Sequence, residues 1–190
     1  MMPIGPLMIE HRLTERMITL MKKESSEMEE DRADIQFLDA IVDFFRAYVD
    51  LCHHGKEEDI LFRSLDRKEL SPGHRKIMDK LIEDHARARE MVAGLEMAKI
   101  KCSAGDLHGM MKVKEMIGEM TVLYADHIEK EDRQFFIPSM SYFSEAERNA
   151  MLSEMADFDR QLIHRTYRDV VARFERRKEQ WRAGPALQDG

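Results

Sequence analysis

Apolar residues recur along this sequence at intervals of three and four, which is the period of an α-helix that buries one face. Chain-breaking residues divide the pattern into five long segments, at about 6–31, 34–71, 73–101, 106–138 and 144–181. Strict alternation nowhere persists long enough to predict a sheet. With 9 glycines, 5 prolines and 35% charged residues, the composition also favours helices over a sandwich or barrel. We therefore predict an all-α fold.

The starts of the last two segments contain residues that cap helices. Ser103 and Asp106 are alternative N-caps for the fourth segment. Ser144 and Glu147 form a capping-box pattern at the start of the fifth. The apolar face of this fifth segment must be buried on the chain's own bundle or on a second chain, so a homodimer is one expectation. That face consists of Met151, Met155, Phe158, Leu162 and Phe174.

The apolar stripe of each of the first four segments includes a histidine: His11, His53, His85 and His127. In segments two and four the stripe also includes a glutamate four residues later, Glu57 and Glu131. This spacing places both side chains on one helix face, about 6 Å apart along the axis. Two further His-x-x-x-Glu pairs, which begin at His11 and His54, show that spacing alone is weak evidence. His54 lies about 100° round the helix from its neighbour, which predicts a position towards the polar side.

An internal repeat of 74 residues relates the two halves of this pattern. It relates His11 to His85, His53 to His127 and Glu57 to Glu131. The segment HHGKEEDILF at 53–62 aligns with HIEKEDRQFF at 127–136. Two helix pairs would each bring a lone histidine and a His-x-x-x-Glu to the centre of a pseudo-twofold bundle.

Such a buried group of imidazoles and carboxylates is costly unless a cation offsets the negative charge. Mixed imidazole and carboxylate ligands favour iron or manganese, and the absence of cysteine from the stripes argues against a thiolate zinc site. We predict a dinuclear metal site, with ligands His11, His53, Glu57, His85, His127 and Glu131. We interpret the remaining histidines on polar faces or near helix starts as structural: His74, His108 and His164.

The overall charge limits the possible binding partners, and the cysteines indicate the cellular compartment. A net charge of −7 and a pI near 5.7 argue against a nucleic-acid binder, which needs a basic face. No apolar run approaches the ~20 residues of a membrane span. Cys52 and Cys102 have neither a disulfide framework nor a metal-type spacing, so we expect a cytoplasmic protein.

These motifs together resemble the hemerythrin-like (HHE cation-binding) family. The resemblance rests on IEH at 9–11, HHGKEEDILF at 53–62, EDH at 83–85 and HIEKEDRQFF at 127–136. It covers about residues 7–138 and implies an antiparallel four-helix bundle with a non-haem di-iron centre. We accordingly expect a metal-binding bundle at 1–138 and a C-terminal helical extension at 139–190.

The resemblance also implies a division of the ligands. It assigns His11 and His53 to one iron, His85 and His127 to the other, and bridging roles to Glu57 and Glu131. Oxygen-carrying hemerythrins have a second histidine one turn after the third-helix ligand, and Arg89 stands there in this sequence. Fewer histidines leave more coordination positions for water or a small molecule, which favours redox chemistry or sensing over reversible oxygen carriage. His54 or Glu58 is an alternative source of an extra ligand.

The function implied is that of a di-iron protein, with manganese or zinc as substitutes. We expect it to bind or sense dioxygen, nitric oxide or peroxide, or to handle iron, rather than to act as an enzyme. A di-iron redox enzyme, an iron–sulfur-cluster repair protein and a structural bundle without metal remain alternatives.

Overall fold

A computed structural model describes residues 2–28, 33–160, 166–168 and 170–176, and this part of the chain contains helices and no strand. Four helical rods form the body of the protein. The first rod is α1 (Ile4–Glu27) and the third is α4 (Pro72–Ser103). The second comprises α2 (Ile35–Asp43), π1 (Phe44–His54), π2 (Glu57–Phe62) and α3 (Arg63–Leu65), where π denotes a π-helical segment. The fourth comprises α5 (Leu107–Lys130), π3 (Glu131–Phe135) and α6 (Phe136–Ser139).

The rods pack in a ring, in which the first contacts the second and fourth, and the third contacts the same two. Short connections between consecutive rods are typical of an antiparallel bundle. The predicted all-α fold is therefore confirmed. Among the described residues, no helix is both long enough and apolar enough to cross a membrane.

The turn between α4 and α5 decides between the two predicted caps. Asp106 is the N-cap, since its side chain accepts a hydrogen bond from the His108 backbone N–H, whereas Ser103 is the last residue of α4. Gly105 adopts φ +82°, a left-handed conformation that glycine reaches without strain. A Cβ on Gly109 would lie 2.5 Å from the backbone nitrogen of Cys102, so the two helices approach closely here.

The apolar stripes predicted on the four rods are buried, and they consist of Leu7, Ile18, Met21, Leu38, Val42, Phe45, Val49, Ile60, Met78, Leu81, Val92, Leu95, Val113, Met116, Ile117, Met120, Tyr124 and Phe135. The buried apolar side chains form two clusters along the bundle. The larger one includes Leu13, Val49, Ala88 and Tyr124, and the smaller one includes Leu7, Ile60, Leu81 and Phe135. On each rod the stripe histidine lies in sequence between a residue of one cluster and a residue of the other. The polar centre is thus enclosed between two apolar layers.

The C-terminal part begins as predicted and then differs from the prediction. Ser144 and Glu147 form the capping box at the start of α7 (Glu145–Phe158). The predicted single helix to about residue 181 is wrong, because α7 ends at Phe158 and a turn follows at 159–160. The backbone is helical again at 166–168 and 170–176, whereas Leu162 and residues 177–181 lie outside the described residues.

The side chains of this C-terminal part contact both apolar clusters. Met151 and Met155 are buried in the smaller cluster, and Tyr167, Val171 and Phe174 are buried in the larger one. Phe158 is 38% exposed, but its ring lies where a Cβ on Gly55 would meet it at 3.0 Å. The division of the chain at residue 138 stays a prediction.

Candidate metal centre

The six residues predicted as metal ligands meet in the enclosed centre, and none of them is more than 3% exposed. They come from α1 (His11), π1 (His53), π2 (Glu57), α4 (His85), α5 (His127) and π3 (Glu131). Each rod contributes at least one of them, so side chains from all four rods meet at the centre.

The histidines form two pairs whose Nε2 atoms face each other. The Nε2 atoms of His11 and His53 are 3.0 Å apart, and those of His85 and His127 are 3.2 Å apart. Glu57 lies between the pairs: Oε1 is 3.3 Å from His53 Nε2, and Oε2 is 3.3 Å from His85 Nε2. One carboxylate therefore contacts one histidine of each pair.

Glu131 occupies the equivalent position on the other side of the centre. Its Oε2 lies 3.1 Å from His11 Nε2 and 3.3 Å from His127 Nε2. Although these distances suit ion pairs, the geometry does not suit hydrogen bonds, and all four carboxylate oxygens of Glu57 and Glu131 are buried without one. Buried carboxylates without hydrogen bonds are strongly unfavourable unless a cation lies beside them. These residues fit a metal site.

Three further carboxylates orient the histidines from outside. Asp132 contacts Nδ1 of His11 at 2.8 Å, and Glu10 contacts Nδ1 of His53 at 2.8 Å. Glu58 contacts Nδ1 of a third predicted ligand, His85, at 2.7 Å. A carboxylate accepts a hydrogen bond from a protonated Nδ1, which leaves the Nε2 lone pair of a neutral imidazole free to bind a metal.

On the fourth predicted ligand, His127, the corresponding contact is longer. Nδ1 lies 3.8 Å from Oδ2 of Asp84 and makes no hydrogen bond. The Asp84 carboxylate accepts instead from Lys130, whose Nζ is 2.9 Å away. Each of the four histidines thus has a carboxylate on its outer side, although the contact to His127 is longer than the other three.

The pKa values of these groups reflect the charge inside the centre. Burial lowers the pKa of His11, but the Asp132 and Glu131 carboxylates outweigh burial and raise it to about 10. Burial likewise lowers the pKa of His85, and Glu57 with other carboxylates raises it to about 9. Burial raises the pKa of Glu131, whereas the neighbouring imidazoles lower it to about 2. Without a cation, His11 and His85 hold protons that balance the carboxylates, and a metal that binds at their nitrogens would displace protons.

His54 does not lie where the sequence analysis placed it. It was expected towards the polar side, but it is only 1% exposed and its ring stacks on His85 at a centroid distance of 3.8 Å. The error has a physical cause. His54 ends π1, and hydrogen bonds between residues five apart advance the chain by less than 100° per residue, so both His53 and His54 face inward.

Two groups of donor atoms follow from this arrangement, and in each group the atoms lie within 4.8 Å of one another. One group is His11, His53, Glu57 and Glu131; the other is His54, Glu57, His85 and His127. The two buried groups are consistent with a binuclear metal site.

Two lysines near the centre were not predicted. Lys56 is fully buried and donates hydrogen bonds to Glu10 and, at 2.6 Å, to Asp159 in the turn after α7. Burial lowers the pKa of Lys56, but Glu10 and Asp159 outweigh it, so the net shift is upward. Adding 74 to Lys56 gives Lys130, which contacts the outer carboxylate of the other half. The sequence repeat contains this relationship and would have revealed it.

The other residues considered in the sequence analysis lie outside the centre. His74 contacts the Tyr142 hydroxyl at 2.7 Å, His108 has a 96% exposed side chain, and His164 lies outside the described residues. Arg89 forms ion pairs with Asp50 and Glu58 on the second rod, at 2.7 and 2.8 Å. Glu58 belongs to neither donor group.

Comparison with known proteins agrees with this geometry. The family model described as the hemerythrin HHE cation binding domain matches residues 2–137, well over half of the chain. Searches of curated proteins and of solved structures find no match. The matched range includes all six predicted ligands, the outer carboxylates, the first three rods and the fourth rod as far as Ile137. The chain therefore belongs to the hemerythrin HHE cation-binding domain family.

Proposed function

We propose that this chain is a non-haem di-iron protein that binds or senses dioxygen, nitric oxide or peroxide. His11 and His53 would hold one iron, and His85 and His127 the other. Glu57 and Glu131 would bridge the two positions. Bound iron would supply redox chemistry and open coordination positions for a small ligand. A bridged pair in a bundle core, with ligands from all four rods, is typical of dinuclear carboxylate proteins.

The observation that carries this proposal is the position of Glu57 and Glu131. Each carboxylate contacts one histidine of each Nε2 pair, at 3.1–3.3 Å. A mononuclear site would need neither this sharing nor two separate histidine pairs. Two buried glutamates that link two imidazole pairs favour two adjacent ions over one.

The donor set supports iron as the resident metal. Imidazole and carboxylate ligands suit iron and manganese, and zinc also accepts them. Neither donor group contains a cysteine. Cys52 is buried near the centre, but burial raises the pKa of its thiol to about 12, which disfavours the thiolate that binds metal. Manganese and zinc remain substitutes for iron.

The space beside the centre supports a small ligand. A cavity of about 100 Å³ adjoins His54 and is lined mainly by the second and third rods. Pockets for organic substrates usually measure ~300–1,000 Å³, and a single water takes ~30 Å³ of liquid volume. A cavity of this size suits a molecule of a few atoms better than a larger substrate. This favours a binding or sensing role over catalysis on an organic molecule.

Stopped-flow mixing tests the proposal. The iron-loaded protein is reduced anaerobically and mixed separately with dioxygen, with nitric oxide and with hydrogen peroxide. We expect an absorption change with at least one gas, without any organic substrate, and no change in metal-free protein. A reduced protein that retains its iron and reacts with neither gas nor peroxide would contradict the proposal.

A further inference from the structure

His54 is buried like a ligand and differs in this from the histidines that lie outside the centre. His108 is exposed and His74 has a tyrosine partner, but Nε2 of His54 is buried and makes no hydrogen bond with any described residue. An imidazole nitrogen in this situation is unfavourable in a packed interior unless it binds something. The sequence offers His54 and Glu58 as alternative sources of an extra ligand, and their surroundings in the structure differ.

The surroundings of His54 leave its Nε2 free for a metal. Asp50 lies 3.4 Å from Nδ1, as the outer carboxylates lie beside Nδ1 of the other ligands. Arg89 donates a hydrogen bond to the same Asp50 oxygen at 2.7 Å and so fixes the carboxylate. A protonated Nδ1 facing Asp50 leaves the Nε2 lone pair available.

Glu58 is a poorer candidate because its carboxylate is already engaged. It accepts a hydrogen bond from Nδ1 of His85 at 2.7 Å and another from Arg89 at 2.8 Å. Its role is to orient His85 from outside. His54, by contrast, offers a nitrogen within 4.8 Å of the donor atoms of its group.

The repeat shows that only one half of the centre has such a residue. Adding 74 to His54 gives Ile128, and adding 74 to Asp50 gives Tyr124. Ile128 and Tyr124 are both buried in the larger apolar cluster. The two halves of the centre therefore have the same plan for the six predicted ligands and different residues at this position.

We propose that His54 is a fifth histidine ligand, which makes the two metal positions inequivalent. Its half of the centre has three histidines (His54, His85 and His127), and the other half has His11 and His53 alone. This inference rests on the proposed function, since it concerns the same two ions. The expectation that this chain has fewer histidine ligands than an oxygen carrier is thereby replaced. His54 on the second rod would supply the histidine that is absent at the position of Arg89 on the third rod.

The repeat supplies a matched pair of variants for the test, His54→Ala and Ile128→Ala. Each is loaded with ⁵⁷Fe, and iron retention is measured against a chelator together with the Mössbauer spectrum. We expect the wild-type protein to show two distinct iron environments. His54→Ala should lose one of its two irons to the chelator at least about tenfold more readily, as loss of a residue that supports a metal site does. Ile128→Ala should retain both irons with the wild-type spectrum.

Chemical rescue separates ligation from packing. His54→Gly leaves space that adjoins the existing cavity, so added imidazole should restore the second iron and its spectrum. Pyrrole has nearly the same shape but no free nitrogen lone pair, and it should not restore them. If His54→Ala fails to fold, His54→Gln keeps a polar side chain of similar size and should show the same loss of one iron.

The outcomes also separate this inference from the proposed function. A wild-type protein that holds no iron would overturn both. A wild-type protein with two irons, and a His54→Ala or His54→Gln variant with unchanged chelator resistance and spectrum, would overturn the role of His54 alone. Rescue by pyrrole as effective as rescue by imidazole would reduce His54 to a packing residue.

Discussion

Glu10 and Asp84, which lie 74 residues apart in the sequence, occupy equivalent positions beside the two halves of the centre. Glu10 contacts His53 and Lys56, and Asp84 lies beside His127 and Lys130, whose numbers are also related by 74. The repeat thus extends beyond the ligands to a carboxylate and a lysine behind one histidine of each pair. The two halves differ in burial, since Lys56 is fully buried and the Lys130 side chain is 17% exposed.

This difference predicts unequal effects of removing the two lysines. Lys56→Ala leaves the buried carboxylate of Glu10 without its cation, and loss of one partner of a buried ion pair costs about 3–5 kcal/mol of unfolding free energy. Lys130→Ala should cost less, because the Lys130 side chain is partly exposed and Asp84 keeps a second ion pair, with Lys80 at 3.2 Å. Urea unfolding of the two metal-free variants measures the comparison. Equal losses, or a larger loss for Lys130→Ala, would show that burial of Lys56 does not govern its contribution.

Glu57 and Glu131, the two carboxylates proposed to bridge, should each affect both proposed metal positions. Glu57→Gln and Glu131→Gln keep the size of the side chain and remove its charge, so we expect each variant to lose most of both irons. His11→Ala removes a ligand from one position only and serves as the comparison, with preferential loss of one iron. Metal analysis after desalting gives the iron content per chain. A glutamine variant that keeps one full iron would assign that glutamate to a single position.

The C-terminal part should be needed for a stable bundle. Truncation after Pro138 removes Met151 and Met155, which are buried in the smaller apolar cluster, and uncovers the surface beneath them. We expect the truncated protein to be poorly soluble or to associate, although all six predicted ligands remain. Light scattering and sedimentation measure this. Unchanged solubility, mass in solution and melting temperature would disprove it.

A point substitution provides a finer test of the same packing. Met155 is fully buried, so Met155→Ala should lower the unfolding free energy by about 2–5 kcal/mol. Phe158→Ala, at a position that is 38% exposed, should have a smaller effect. Urea unfolding of both variants gives the values. An equal or larger loss for Phe158→Ala would mean that the turn end of α7 matters more than its buried face.

The capping box predicts a pH dependence away from the centre. Lys68 and, after it, Ser144 lower the pKa of Glu147 to about 2 from its usual 4.5. A lowered pKa means that the stabilising contribution is present above pH 4.5 and is lost as the pH falls towards 2. Glu147→Gln should therefore lower the melting temperature of metal-free protein at pH 7, by more than it does at pH 3. A difference of the same size at both pH values would contradict this sign.

The bundle and the six predicted ligands could be predicted from the sequence. The helical period of the apolar stripes and the 74-residue repeat are both visible in the sequence itself. The inward position of His54 could not be predicted in this way, because π1 is π-helical and departs from the 100° per residue of a regular α-helix. The outer carboxylates Glu10 and Asp84 are also related by the 74-residue repeat, so the sequence contains a signal for them that the prediction did not use.

The end of α7 could not have been predicted in the same way. No glycine or proline marks the turn at 159–160. Asp159 contacts Lys56, 103 residues earlier in the chain, and such a long-range ion pair leaves no local pattern to recognise.

The central claim is that the buried histidines and glutamates hold two iron ions, and iron content per chain tests it most directly. The protein is purified from iron-sufficient cells, and its metals are measured together with the absorption spectrum before and after reduction. The account predicts about two irons per chain, as in dinuclear carboxylate bundles, and a spectrum that changes on reduction. Metal content near zero, or a single zinc per chain, would contradict it.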